Sequence, residues 1–144
     1  MRFKQMIVLA LFLLTSKLHA QTAYSGAVIE PALGYLNARY TPEIEHGYCI
    51  SKWRVTTDSV VEVQEVVPPA GVLDSSKYSV TFICPSGQPA IHTHPPEFPR
   101  VSAQDMITCC MAGNEPFTAV QWGIDKFSFF IVSFTKAFEQ GGEK

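Results

Sequence analysis

The chain has 144 residues, 47% of them hydrophobic and 17% charged, and 11 basic against 13 acidic side chains give a formal charge of −2. That length is one domain with room for a single hydrophobic core, and no repeat or low-complexity tract marks off a second. Nothing in it resembles a basic patch, so no nucleic-acid partner is expected.

Residues 1–20 read as a secretory leader. Arg2 and Lys4 precede the apolar run Met6 to Leu14, and a more polar stretch ends at Leu18-His19-Ala20. That is the order of a signal peptide, with cleavage expected after Ala20, although Leu18 is larger than the usual residue at its position. The apolar run is far shorter than the roughly 20 residues a membrane span needs. The first residue after the cut is Gln21, not the cysteine of a lipid-anchored form. The expected product is therefore an exported protein, periplasmic or secreted, with no stable membrane anchor. Loss of Arg2, Lys4 and Lys17, with no acid, leaves 8 basic and 13 acidic residues in 21–144, a charge of −5.

All four cysteines (Cys49, Cys84, Cys109, Cys110) lie in the exported part. An oxidising compartment makes disulfides the expectation, and four cysteines allow three connectivities. A vicinal Cys109–Cys110 bridge is the least favoured. Cys49 and Cys84 are expected to pair with each other or with one of that doublet. No C-x-x-C spacing directs a thiolate to a metal.

Along residues 21–144 the first element is a helix from about Pro31 to Tyr40, because Val28, Ile29, Leu33, Leu36 and Ala38 approximate helical spacing and Pro31 is tolerated in a first turn. Thr41-Pro42 stops it. Strands are expected from Glu43 to Ile50 and on into Lys52–Val55, and from Ser59 to Val67, where apolar and polar residues alternate. Pro68-Pro69-Ala70-Gly71 ends the second as a turn. Lys77–Cys84 and the short Ala90–His94 follow as strands. Ser102 caps a helix running to about Met111, with Ile107 and Cys110 or Met111 facing inward and Gly113-Asn114 at its end. Phe117–Trp122 and Lys126–Phe134 form a hairpin, with apolar side chains on both faces of its second strand. This order predicts an α/β architecture, a mixed β-sheet flanked by helices.

His92-Thr93-His94, then seven residues, then Ser102-Ala103-Gln104-Asp105 is the chemically informative stretch. Alternate strand residues share a face, so His92 and His94 project together. The intervening Pro95-Pro96-Glu97-Phe98-Pro99-Arg100-Val101 holds three prolines and reads as a rigid loop. Two imidazoles and a carboxylate suit Zn²⁺, and a catalytic zinc keeps one position for water. His92, His94 and Asp105 are the expected ligands. Ser102-x-x-Asp105 is also close to a helix capping box, and both readings can hold at once.

The ordered pair His92-x-His94 and Ser102-x-x-Asp105 resembles the JAMM motif of the JAB/MPN zinc metallopeptidases, here in a small exported bacterial-type member. The resemblance spans most of 28–134 but is specific only at Glu45, His92, His94, Ser102 and Asp105. It implies the same helix-flanked mixed sheet, cytidine-deaminase-like, and a glutamate just after the first helix. Glu45, in Glu45-His46-Gly47-Tyr48, is the assigned residue, although common members carry a different context there; Glu43 is the fallback. His46 is expected to be structural.

The resemblance implies that zinc supplies a water nucleophile, Glu45 takes and returns its proton, and Ser102 steadies the developing oxyanion. The expected activity is hydrolysis of a peptide or isopeptide bond in a peptide or protein substrate outside the cytoplasm. A catalytically inactive metal-binding interaction module is the alternative, and a metal-free disulfide-stapled binding domain the third reading. Loops Pro95–Val101 and Pro68–Ser76 are the candidates for shaping a cleft. Peptide versus isopeptide bond and oligomeric state stay open.

Overall fold

The computed structural model describes residues 25–109, 114–132 and 137. The expected leader lies outside them, as do Cys110, Met111, Phe134 and the polar tail. In chain order the elements are β1 (Ser25–Val28), α1 (Ala32–Arg39), β2 (Gly47–Val55), β3 (Val60–Val67), β4 (Gly71–Ser75), β5 (Val80–Ile83), β6 (Ala90–Thr93), α2 (Ala103–Ile107), β7 (Phe117–Gly123) and β8 (Lys126–Ile131). Six strands form one sheet in the order β1-β3-β2-β6-β7-β8, while β4 and β5 pair as a separate ribbon. Within the large sheet β1/β3 and β6/β7 are parallel and the other pairs antiparallel.

The expected helix-flanked α/β architecture is corrected by this arrangement. The sheet does mix directions, but strands dominate the molecule and the sheet curls toward a barrel. Its two edge strands approach each other: the Phe129 ring of β8 lies against Gly26 of β1, where a Cβ would come within 2.2 Å of the ring. The helices are too small to supply flanking layers. α1 has 8 residues and buries Ala32 and Leu36, whereas α2 has 5 and buries none. The sheet therefore covers its apolar side chiefly with its own curvature.

The core behind it is built from Val61 and Val63 of β3, Ile50 of β2, Ile91 of β6, Phe117 and Ala119 of β7, and Leu36. Alternation explains Val61 and Val63. An irregular register opposite Lys52 then shifts the phase of β3, so that Val66 is buried rather than Glu65. Leu36, 1% exposed, is the plug that α1 drives into this core. Leu36→Ala is expected to cost about 2–5 kcal/mol of unfolding free energy, read by chemical denaturation.

Several expected boundaries move. α1 starts and ends within one residue of expectation. β2 begins at Gly47, so Glu43 and Glu45 precede it instead of lying on a strand. β4 arises within the segment expected to be loop, and its residues are mostly exposed, so no burial pattern marks it. α2 stops at Ile107, and that side chain, expected inward, is 49% exposed because this short helix stands at the rim of a cleft.

Cys49 and Cys84 form a disulfide, one of the pairings left open by the sequence, with Cα atoms 5.6 Å apart. It ties β2 to the residue after β5 and so holds the β4–β5 ribbon to the main sheet. The Phe82 ring adds a second attachment, lying over Gly47 where a Cβ would meet it at 2.2 Å. Cys109 is buried at the end of α2.

Candidate metal centre

β6 is an interior strand, paired with β2 on one side and β7 on the other. Its alternation sends Ile91 into the core and His92 toward the opposite face. His94, one residue past the strand, stays in phase because its backbone N–H donates to the Gln121 carbonyl at 2.8 Å. Both histidines are buried, and their Nε2 atoms lie 3.0 Å apart.

The loop after His94 turns at once, with Phe98 N–H donating to the Pro95 carbonyl. It is pinned further along by the Ser128 hydroxyl on the Pro99 carbonyl. This path places the Phe98 carbonyl 2.9 Å from His94 Nδ1. A carbonyl only accepts, so Nδ1 carries the proton and neutral His94 presents a bare Nε2 toward His92. That is the outer hydrogen bond that orients a metal-binding imidazole. Tyr40 donates to the His94 carbonyl at 2.8 Å and steadies the same residue from α1's end.

Ser102 caps α2 as a full capping box. Its hydroxyl oxygen accepts from Asp105 N–H at 3.1 Å, and its own N–H donates to Asp105 Oδ2 at 2.9 Å. The box aims the Asp105 carboxylate at the histidines: Oδ1 is 3.2 Å from His92 Nε2 and Oδ2 is 3.3 Å from His94 Nε2.

Glu45 sits in the bend before β2 and is 5% exposed. Its N–H donates to the Ser76 carbonyl and its carbonyl accepts from the Ser75 hydroxyl, both at 2.7 Å. The next residue, His46, exchanges two hydrogen bonds with Thr93, each 2.8 Å. The end of β4 and the ligand strand thus clamp Glu45 over the centre. One ligand atom each from Glu45, His92 and His94 fall within 4.8 Å of one another, a group that could hold a metal ion.

Glu45, His92, His94 and Asp105 therefore converge, and Ser102 borders them through its cap. Glu43, the fallback acid, is exposed and outside the cluster. His46 bonds Thr41 rather than the centre, in keeping with a structural role. Sequence reasoning missed Ser75, Ser76, Tyr40 and Phe98. A histidine's second nitrogen needs a partner, but nothing in the sequence says that the Phe98 carbonyl provides it.

The electrostatics describe a site short of positive charge. Burial raises the Glu45 carboxyl, Asp105 raises it further, and the two imidazoles offset this only in part. Burial opposes protonation of His94, yet hydrogen bonds to Asp105 and the Phe98 carbonyl, with the charges of Asp105 and Glu45, lift it above the usual imidazole value. Burial would also raise Asp105, but hydrogen bonds from His92 and His94 in their protonated forms, the His92 charge and the Ser102 N–H hold it far below the ordinary carboxylate range. Lys52, Arg54 and Lys77 pair with Glu65, Glu62 and Glu97 rather than with the clustered carboxylates, while Arg100 lies on the cleft wall. Two carboxylates and two inward Nε2 atoms therefore fit a cation.

The cluster forms the floor of an open cleft of about 1240 Å³, walled by Tyr78–Cys84, Glu97–Val101 and α2. No model of a known protein family matches this chain, and no curated protein matches it. The resemblance to the JAMM motif is therefore one of sequence pattern alone. Among the described residues no helix is long and apolar enough to cross a membrane, and the disulfide is consistent with an oxidising, extracellular location.

Proposed function

We propose that this chain is a zinc-dependent hydrolase of peptide or isopeptide bonds, acting outside the cytoplasm with a JAMM-type centre. The observation that carries the reading is the approach of the Asp105 carboxylate to both Nε2 atoms, with Glu45 buried beside them at the base of an open cleft. His92, His94 and Asp105 hold the metal; three protein ligands and an accessible fourth position are the catalytic pattern, whereas structural zinc is closed by four.

Bound zinc supplies a water acidified toward neutrality and polarises the amide carbonyl. The remaining work falls to the chain. Glu45 accepts the water's proton and passes it to the leaving nitrogen, a task helped by a carboxyl that burial has made more basic. Ser102 uses its oxygen to receive the Asp105 N–H, which leaves its own O–H free to donate to a developing oxyanion. His94 keeps its orientation through Phe98 and Tyr40.

Elemental analysis of purified residues 21–144 tests the metal. About one zinc per wild-type chain is expected, lost in His92→Ala/His94→Ala. Absence of metal after refolding with zinc and intact disulfides would overturn the hydrolase reading.

A further inference from the structure

The walls of the cleft are not neutral spacers. Tyr78 and Phe98 face each other across it edge to face, ring centroids 5.8 Å apart, and are 62% and 49% exposed. Ile83, 48% exposed, continues the apolar surface along β5. A second link lies beside the rings: Lys77 Nζ is 3.9 Å from Glu97 Oε1 and 5.3 Å from the Tyr78 ring centroid. The two walls are therefore held at a set separation by adjacent residue pairs, one charged and one aromatic.

Large apolar side chains left open on a concave wall lose nothing by being covered, and covering them releases water. The Phe98 ring is tied to the centre as well, because its carbonyl orients His94 while the ring lines the cleft. An occupant whose amide reaches the floor thus places its neighbouring side chain within reach of Tyr78, Phe98 and Ile83.

We infer that Tyr78, Phe98 and Ile83 form a specificity subsite for an aromatic or large aliphatic side chain adjacent to the scissile amide. This rests on the metal centre proposed above and names the substrate class it serves. The occupant is a peptide with a bulky apolar residue at that position, in preference to a glycine-only tail.

Hydroxamates test it without knowledge of a natural substrate, since they occupy an open zinc position and carry a chosen side chain. Calorimetric titration of zinc-loaded residues 21–144 compares N-acetyl-phenylalanine and N-acetyl-glycine hydroxamates. The phenylalanine probe is expected to bind about 10- to 100-fold more tightly than the glycine probe, the range that burying one large apolar side chain provides. In Tyr78→Ala, whose side chain touches none of the four clustered groups, the phenylalanine-to-glycine ratio should fall toward unity, and Tyr78→Phe should restore it. Equal binding of the phenylalanine and glycine probes to wild type would overturn the subsite while leaving the metal centre standing, as would a ratio unchanged in Tyr78→Ala. Zinc-loaded protein that binds neither probe lacks the open position, and both the hydrolase reading and the subsite then fail together.

Discussion

Glu45→Gln is expected to retain its zinc and to lose about 10²–10⁴-fold in turnover, the contribution of a positioned proton carrier. The variant is decisive because two triplets overlap in this site. Glu45, His92 and His94 could hold an ion by themselves. His92, His94 and Asp105 make the other set, with the Asp105 oxygens 3.2 and 3.3 Å from the two Nε2 atoms. If Glu45 is a ligand, Gln weakens metal binding and elemental analysis shows the loss. If Asp105 is the ligand, Gln is nearly isosteric, zinc content holds and only the proton transfer fails. The helix cap favours the second outcome: Asp105 is already aimed by two hydrogen bonds with Ser102, whereas Glu45 is placed through its backbone, leaving its carboxylate to move protons. Full turnover in zinc-loaded Glu45→Gln would remove Glu45 from the mechanism.

Much of this site was legible in the sequence, because its parts are local. His92 and His94 share a strand face by periodicity alone, and Ser102 and Asp105 share a capping box by spacing alone. Both patterns follow from backbone geometry within a few residues, and both appear in the structure. Glu45 was within reach only through the JAMM resemblance. Its setting differs from expectation, since it lies in a bend that Ser75 and Ser76 hold from across the cleft. Ser75 ends β4 and Ser76 follows it, and the exposed side chains of that strand carry no periodic burial signal.

The fold class was misread for a related reason. Alternation in Val60–Val67 and helical spacing over Ala32–Arg39 locate elements, but they do not say how a sheet bends. Closure depends on the Phe129 ring meeting Gly26, a contact between opposite ends of the described chain that no local pattern encodes. The helix expected from Ser102 to about Met111 starts at its strong cap; its regular α part ends at Ile107, Thr108 and Cys109 continue as a wider helical turn, and its last expected residues lie outside the described ones.

Metal removal is expected to cost stability, and the cost should grow with pH. At free zinc 100 times its Kd the holo form gains about 2.7 kcal/mol, roughly 10 °C in melting temperature for a domain of this size. The pH dependence follows from the metal-free cluster. Its His94 is raised, so the stabilisation from the imidazolium beside Asp105 is complete below the unfolded value of about 6.5 and disappears as pH rises through the folded value. The raised Glu45 carboxyl acts in the same sense, because the native state holds its proton longer than the unfolded chain does. Asp105 is lowered, so its contribution is present above about pH 4 and fades only under stronger acid. Metal-free protein should therefore be most stable near pH 4 to 5, decline as Glu45 ionises and weaken further toward pH 8 as His94 loses its proton. Zinc needs the imidazoles neutral, so its binding strengthens over the same interval in which the apo form weakens. Melting curves with zinc and with chelator should diverge steadily from pH 6 to pH 8. The divergence should vanish in His92→Ala/His94→Ala, which has neither the imidazolium below neutrality nor the ligands above it. Parallel curves for wild type across that range would mean that protons and metal do not compete for His94, and the centre would then have to lie elsewhere.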